Sequence, residues 1–121
     1  MEEKGKLMIV EDEPRFAESL AIGLRESGYL PYVVHDGIDG LKMLRDQEFN
    51  FIICDINMPV MDGWEFACKA KAYSTARFIF MTADPYTIKA KELKNYPLLI
   101  KPIKIKMILQ LLSDETTSKP S

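Results

Sequence analysis

Glu11, Asp12 and Glu13 follow the apolar run Leu7-Met8-Ile9-Val10, and Asp55 follows the apolar run Phe51-Ile52-Ile53-Cys54. Thr82 closes the run that starts at Arg77, and Lys101 follows Leu98-Leu99-Ile100. Each of these groups stands at the end of a short apolar run. If the runs are parallel strands, the carboxylates Glu11, Asp12 and Asp55 converge with the Thr82 hydroxyl and the Lys101 ammonium on one sheet edge. Two like charges ~4 Å apart repel by about 4 kcal/mol at an effective dielectric near 20. Such a cluster takes up a proton, pairs with a cation or binds a metal. Its donors are all oxygens, which select a hard cation: Mg²⁺ first, with Mn²⁺ as an allowed substitute. A carboxylate nucleophile, a divalent ion, a hydroxyl and a lysine together describe phosphoryl transfer, whose transition state spreads charge over three oxygens that each need a partner. Asp55 is the carboxylate placed to attack phosphorus. Asp12 would ligate the metal directly, and Glu11 directly or through a water. Thr82 and Lys101 would each hold one phosphoryl oxygen.

The elements that position these groups alternate along the chain. Leu7-Met8-Ile9-Val10 reads as a strand buried on both faces. A helix follows over about 14–27, opened by Pro14, carrying Ala17, Leu20, Ala21 and Leu24 at helical spacing and stopped by Gly28. Tyr32-Val33-Val34 is a second strand, and Pro31 at its start favours an edge position, because proline cannot donate to a ladder. A second helix spans about 38–47 with Ile38, Leu41 and Leu44 facing inward. The run from Phe51 to Cys54 is a central strand. A loop over 57–63 precedes a third helix over about 64–73. A fourth strand spans 77–81. Asp84-Pro85 reads as an N-cap and first-turn proline for a fourth helix reaching about Lys94. Leu98-Leu99-Ile100 is the fifth strand, and a last helix covers about 104–113. Five such β–α units imply an α/β fold, an open parallel sheet with helices on both faces, and ligands outside the carboxyl ends of the strands.

The 121 residues suffice for one domain, expected over 1–113 with a polar tail over 114–121. An apolar fraction of 47% excludes general disorder, and a net charge of −2 gives no electrostatic case for direct nucleic-acid binding. No apolar run approaches a membrane span, and the polar start is not a signal peptide, so a cytoplasmic protein is expected. One histidine and two cysteines leave almost no material for zinc. Cys54 reads as a buried free thiol, and Met58 and Met61 as loop packing. Trp64 reads as a cover for the sheet. His35 reads as a surface residue away from the active edge, and the charged residues over 89–94 as a solvated face.

Taken singly, each motif has an ordinary explanation: acidic residues favour a helix N-terminus, and an aspartate caps a strand end. Taken together, in this order, they resemble the receiver domains of response regulators. Ile9-Val10-Glu11-Asp12-Glu13-Pro14 is similar to the acidic opening of that family. The stretch Asp55-Ile56-Asn57-Met58-Pro59-Val60-Met61-Asp62-Gly63 is similar to its phosphorylation loop, and Met81-Thr82-Ala83 and Lys101-Pro102 to its two remaining motifs. The resemblance implies a flavodoxin-like, doubly wound five-stranded sheet of order 2-1-3-4-5 with five helices. It implies Mg²⁺ bound by Asp12, Asp55 and the backbone carbonyl of Asn57, and a cis peptide between Lys101 and Pro102. It implies a phosphorelay role in a two-component system. Asp55 would accept a phosphoryl group from a sensor histidine kinase or phosphotransfer protein, and the chain would be a signalling domain, not an enzyme beyond self-phosphorylation from small donors and self-dephosphorylation. Output would pass to a downstream protein or a second copy through the face of the fourth helix, fifth strand and last helix. The last helix is apolar around more than one stripe, consistent with such a surface.

Three departures stand out, the first being Glu11 where the family more commonly has aspartate. Leu98 occupies the place, three residues before the lysine, where the family commonly has an aromatic switch residue. The segment between Thr82 and Lys101 is short, which trims the fourth helix. Leu98 is also the reason to consider a receiver that binds partners without phosphorylation. A haloacid-dehalogenase-like phosphohydrolase is disfavoured, because its general acid would fall on Asn57, which cannot do acid–base work.

Overall fold

The computed structural model describes residues 4–87 and 92–114. Strands β1 (Lys6–Val10), β2 (Leu30–Val34), β3 (Phe51–Asp55), β4 (Arg77–Thr82) and β5 (Leu98–Ile100) form one parallel sheet of order 2-1-3-4-5. The register brings Val10 level with Val34 and Cys54, Asp55 level with Met81, and Thr82 level with Ile100. The strand ends that carry the residues singled out from the sequence therefore lie along one edge. Pro31 sits in β2, which is an edge strand. Every residue of the central strand β3 is buried, as its uninterrupted hydrophobicity requires.

Helices α1 (Pro14–Glu26), α2 (Gly37–Asp46), α3 (Gly63–Ala70) and α4 (Ile105–Ser113) cover the two faces. Ala17, Leu20, Ala21 and Leu24 of α1 and Ile108 and Leu112 of α4 pack with Leu7, Ile9, Ile53 and Met81. Leu44 of α2 and Phe66, Ala67 and Ala70 of α3 pack on the opposite side with Met8, Val10, Ile52 and Phe80. Fully burying a side chain of this size stabilises by roughly 1.5–3 kcal/mol, so the two layers lock the strand register. Trp64 packs against the second cluster, where its ring lies 6.3 Å from Phe80 and 5.9 Å from Tyr96. Cys54, Met58 and Met61 are buried.

Two expectations need correction. The fourth helix is not continuous among the described residues, which show two 3₁₀ turns, Pro85–Thr87 and Glu92–Asn95, with 88–91 outside the described set. Asp84 Oδ1 does accept the Tyr86 N–H, so the start signal is used, but by a turn of three residues. Four α-helices are therefore described where five were expected. In α2 the inward face is Gly37, Gly40 and Leu44, and Ile38 is exposed. The thioether of Met61 and the ring of Phe66 press so closely on the two glycines that a Cβ at either would lie under 3.0 Å from them. That contact rotates Ile38 to the outside.

Among the described residues, no helix is long and apolar enough to cross a membrane.

Candidate functional site

Glu11 lies one residue past β1, where its N–H continues the ladder to the Val34 carbonyl. The side chain is 1% exposed, and the chain itself engages both carboxylate oxygens. Oε2 accepts from the Glu13 N–H at 3.0 Å, and Oε1 accepts from Lys101 Nζ at 2.7 Å. Burial pushes the Glu11 carboxyl up to about 7, with the Asp55 charge adding to the rise and the bonds from Lys101 and Glu13 opposing it. Asp12, next along, is exposed. Glu13 caps α1, its side chain accepting from the Arg15 N–H.

Asp55 ends β3 and is 4% exposed. Its Oδ2 accepts from Lys101 Nζ at 2.8 Å and its Oδ1 from the Asn57 N–H at 2.9 Å. The turn that follows is closed by Gly63, whose N–H donates to the Ile56 carbonyl. A Cβ at Gly63 would run into the Asp55 carbonyl oxygen and the Ile56 Cα, so only glycine lets α3 start this close behind the aspartate. Carboxylate oxygens of Glu11, Asp12 and Asp55 come within 4.8 Å of one another. Among the described residues, one ammonium, Lys101, faces them. Three carboxylates against one ammonium leave an excess of negative charge, and Asp12 is the member most open to solvent. The donor set suits a hard divalent cation.

Thr82 ends β4 fully buried; its hydroxyl donates to Asn57 Oδ1 at 2.6 Å and lies 3.1 Å from both the carbonyl and the N–H of Asp84. Lys101 follows β5, its N–H donating to the Thr82 carbonyl, and the Lys101–Pro102 peptide is cis. The bonds to Asp55 and Glu11 outweigh burial and raise the Lys101 ammonium above its ordinary value. Glu11, Asp12, Asp55, Thr82 and Lys101 thus gather around the acidic edge of the sheet, with Asn57 joined to them through its N–H and Oδ1.

Two participants were missed. Phe16, in the first turn of α1, lays its ring 4.4 Å from Lys101 Nζ. His35 was placed away from this edge, yet its Nδ1 lies 3.0 Å from the Glu11 carbonyl oxygen. Because β1 and β2 are parallel neighbours, the residue after β2 necessarily arrives beside the residue after β1. That adjacency was the available signal for His35.

The chain matches the family model of the response regulator receiver domain over residues 7–113. It is a member of the response regulator receiver family. Such receiver domains are the signalling modules of two-component systems. This one is 35% identical over 78 residues to the transcriptional activator protein IrlR of Burkholderia pseudomallei, covering 64% of this chain and 34% of that protein. It superposes on the receiver domain of the hybrid histidine kinase CckA with a TM-score of 0.78 at 27% identity, covering 95% of this chain and 100% of the other. The receiver domain of the sensor histidine kinase PA1611 of Pseudomonas aeruginosa, solved with a magnesium ion coordinated in its active-site cleft, gives a TM-score of 0.75 at 25% identity over 89% of this chain and 93% of that one. The receiver chain spans about a third to a half of the length of the curated relatives it matches first.

Proposed function

We propose that this receiver domain accepts a phosphoryl group on Asp55 in a Mg²⁺-dependent reaction, with a histidine kinase or phosphotransfer protein as donor. The observation that carries the reading is Asp55 itself. It is a nearly buried carboxylate at a strand end, with Lys101 Nζ on one oxygen, the Asn57 N–H on the other and two further carboxylates close by. Asp12, Asp55 and the Asn57 backbone carbonyl would hold the ion, with Glu11 bound directly or through a water; Mn²⁺ could replace Mg²⁺. The bound ion supplies positive charge to a phosphoryl oxygen and relieves the repulsion among the carboxylates. The magnesium-bearing receiver of PA1611 supports this choice.

In the transfer, an Asp55 carboxylate oxygen forms a bond to phosphorus as the bond from phosphorus to the donor's imidazole nitrogen breaks. The electron pair leaves with the imidazole. Lys101 would donate to one phosphoryl oxygen, and the Thr82 hydroxyl to another after leaving Asn57. Small acyl phosphates would serve as donors in the same way, and water would later release the phosphoryl group. The rearrangement would reach partners through β5 and α4, where Ile100 and Met107 are exposed, either a downstream protein or a second copy. Neither direct nucleic-acid contact nor a membrane enters this reading, and the cytoplasm is the matching compartment.

Incubation with Mg²⁺ and a small acyl phosphate, followed by intact mass measurement, tests the reading. One added phosphoryl group is expected in the wild type and none in Asp55→Asn or without the metal. A wild type that gains nothing while binding Mg²⁺ would move the reading to a receiver that docks its partners without phosphorylation.

A further inference from the structure

The Lys101 ammonium has three N–H bonds. Two point to carboxylates, to Glu11 Oε1 at 2.7 Å and Asp55 Oδ2 at 2.8 Å. The Phe16 ring centroid lies 4.4 Å from the same nitrogen. An ammonium over an aromatic face is drawn to the ring's negative quadrupole, so the ring gives Nζ a third favourable contact beside the two carboxylates. The placement is set by the chain. Glu13 caps α1 and Pro14 fixes its first turn, which puts Phe16 half-buried at the lip of the acidic edge, one residue before the buried Ala17. Phe16 packs against the apolar layer that also holds Leu20, Ile108 and Ile103, so its ring is braced from behind.

We propose that Phe16 is a positioning residue: its ring face holds the Lys101 ammonium in register with Asp55, where the third N–H would otherwise bond mobile water. The proposal rests on the reading of Asp55 as the phosphoryl acceptor for its effect on rate, but not for its effect on Lys101. An aliphatic side chain of similar volume fills the space without the quadrupole, and tyrosine keeps the ring face.

The test compares wild type, Phe16→Leu, Phe16→Met and Phe16→Tyr, with Lys101→Arg to assign the signal. Two readouts are taken: the Lys101 ammonium cross-peak in a nitrogen–proton correlation spectrum of the lysine side chains, and the rate of phosphoryl uptake from a small acyl phosphate. The wild type and Phe16→Tyr are expected to show a protected ammonium signal. Phe16→Leu and Phe16→Met are expected to lose it to solvent exchange and to take up phosphoryl groups roughly three- to fivefold more slowly, in line with a partly desolvated cation–π contact. A signal retained in both aliphatic variants, or absent from the wild type, overturns the proposal. If the wild type takes up no phosphoryl group, the acceptor reading fails, and the ammonium spectra still decide the role of Phe16. Should Phe16→Leu fail to fold, Phe16→Met carries the comparison.

Discussion

The Thr82 hydroxyl donates to Asn57 Oδ1 at 2.6 Å, so the hydroxyl that would serve a phosphoryl group on Asp55 is tied to the residue two places beyond that aspartate. The same oxygen lies 3.1 Å from the Asp84 N–H, which makes Thr82 the joint between the loops after β3 and β4. Thr82 is fully buried. Thr82→Val keeps its shape but removes the donor to Asn57 and the acceptor for Asp84. Losing buried hydrogen-bond partners costs about 1–3 kcal/mol. A urea denaturation curve should place the variant about 1–2 kcal/mol below wild type, while Thr82→Ser, which keeps the hydroxyl and gives up only a buried methyl, should lose about 1 kcal/mol. A valine variant of unchanged midpoint would show that the joint carries no stability.

Glu11 gives the fold a pH dependence whose sign can be worked out. Its carboxyl is raised from 4.5 to about 7 by burial first, with the Asp55 charge contributing. Between those values the folded chain holds a proton that the unfolded chain has released. Stability without metal therefore falls as pH rises through the window from 4.5 to about 7 and stays low above it. Allowing for the Lys101 bond, the loss is on the order of 2 kcal/mol. Urea midpoints at pH values spanning that window, measured with a chelator present, should fall for wild type and stay nearly flat for Glu11→Gln. Parallel slopes in the two proteins would remove Glu11 as the cause.

Much of this site was readable in advance, because each of these groups stands at or just past the carboxyl end of an apolar strand and parallel strands share one carboxyl edge. Glu11, Asp55, Thr82 and Lys101 needed only that rule. What failed to show was whatever depends on packing between elements. Ile38 looked buried by period, yet the bulk of Met61 and Phe66 claims the glycine face of α2 and turns Ile38 outward. The start signal at Asp84-Pro85 is used, but among the described residues it opens a three-residue turn. Leu98, at the place of the usual aromatic, is half-buried, and the aromatic that meets Phe80 and Trp64 is Tyr96, two residues earlier. The contacts of Phe16 and His35 cross between elements and leave no mark in either element's own periodicity.

Metal binding should stabilise the fold, since the acidic cluster exists only when β1 and β3 are paired. At a Mg²⁺ concentration near one hundred times the dissociation constant, the gain is about 2.7 kcal/mol for a single site absent from the unfolded chain. Thermal melts in Mg²⁺ and in chelator should therefore separate for wild type. Asp12→Ala should bring them together, as Asp12 is the exposed member of the cluster and touches little else that holds the fold. An Asp12→Ala protein that still gains full stability from Mg²⁺ would place the ion elsewhere.

Val60 sits at φ 70°, a left-handed conformation that a β-branched side chain rarely adopts, in the loop between Asp55 and α3. Its side chain is 93% exposed, so no packing offsets the strain. The left-handed region disfavours a residue with a Cβ by roughly 1–2 kcal/mol, and the greater freedom of glycine in the unfolded chain returns about half of that. Val60→Gly should accordingly raise stability by about 0.5–1 kcal/mol, because Val60 is the centre of a tight turn closed by the Met61 N–H to the Pro59 carbonyl, where a positive φ strains any residue with a Cβ. The neighbouring bonds, Met61 N–H to the Pro59 carbonyl and Gly63 N–H to the Ile56 carbonyl, need no side chain at position 60 and should persist. Urea midpoints decide the matter, and phosphoryl uptake at Asp55 measured beside them shows whether the strain also serves the chemistry. Higher stability with unchanged uptake would make the strain incidental, and higher stability with slower uptake would show that a taut loop helps to hold Asp55 and Asn57 in place.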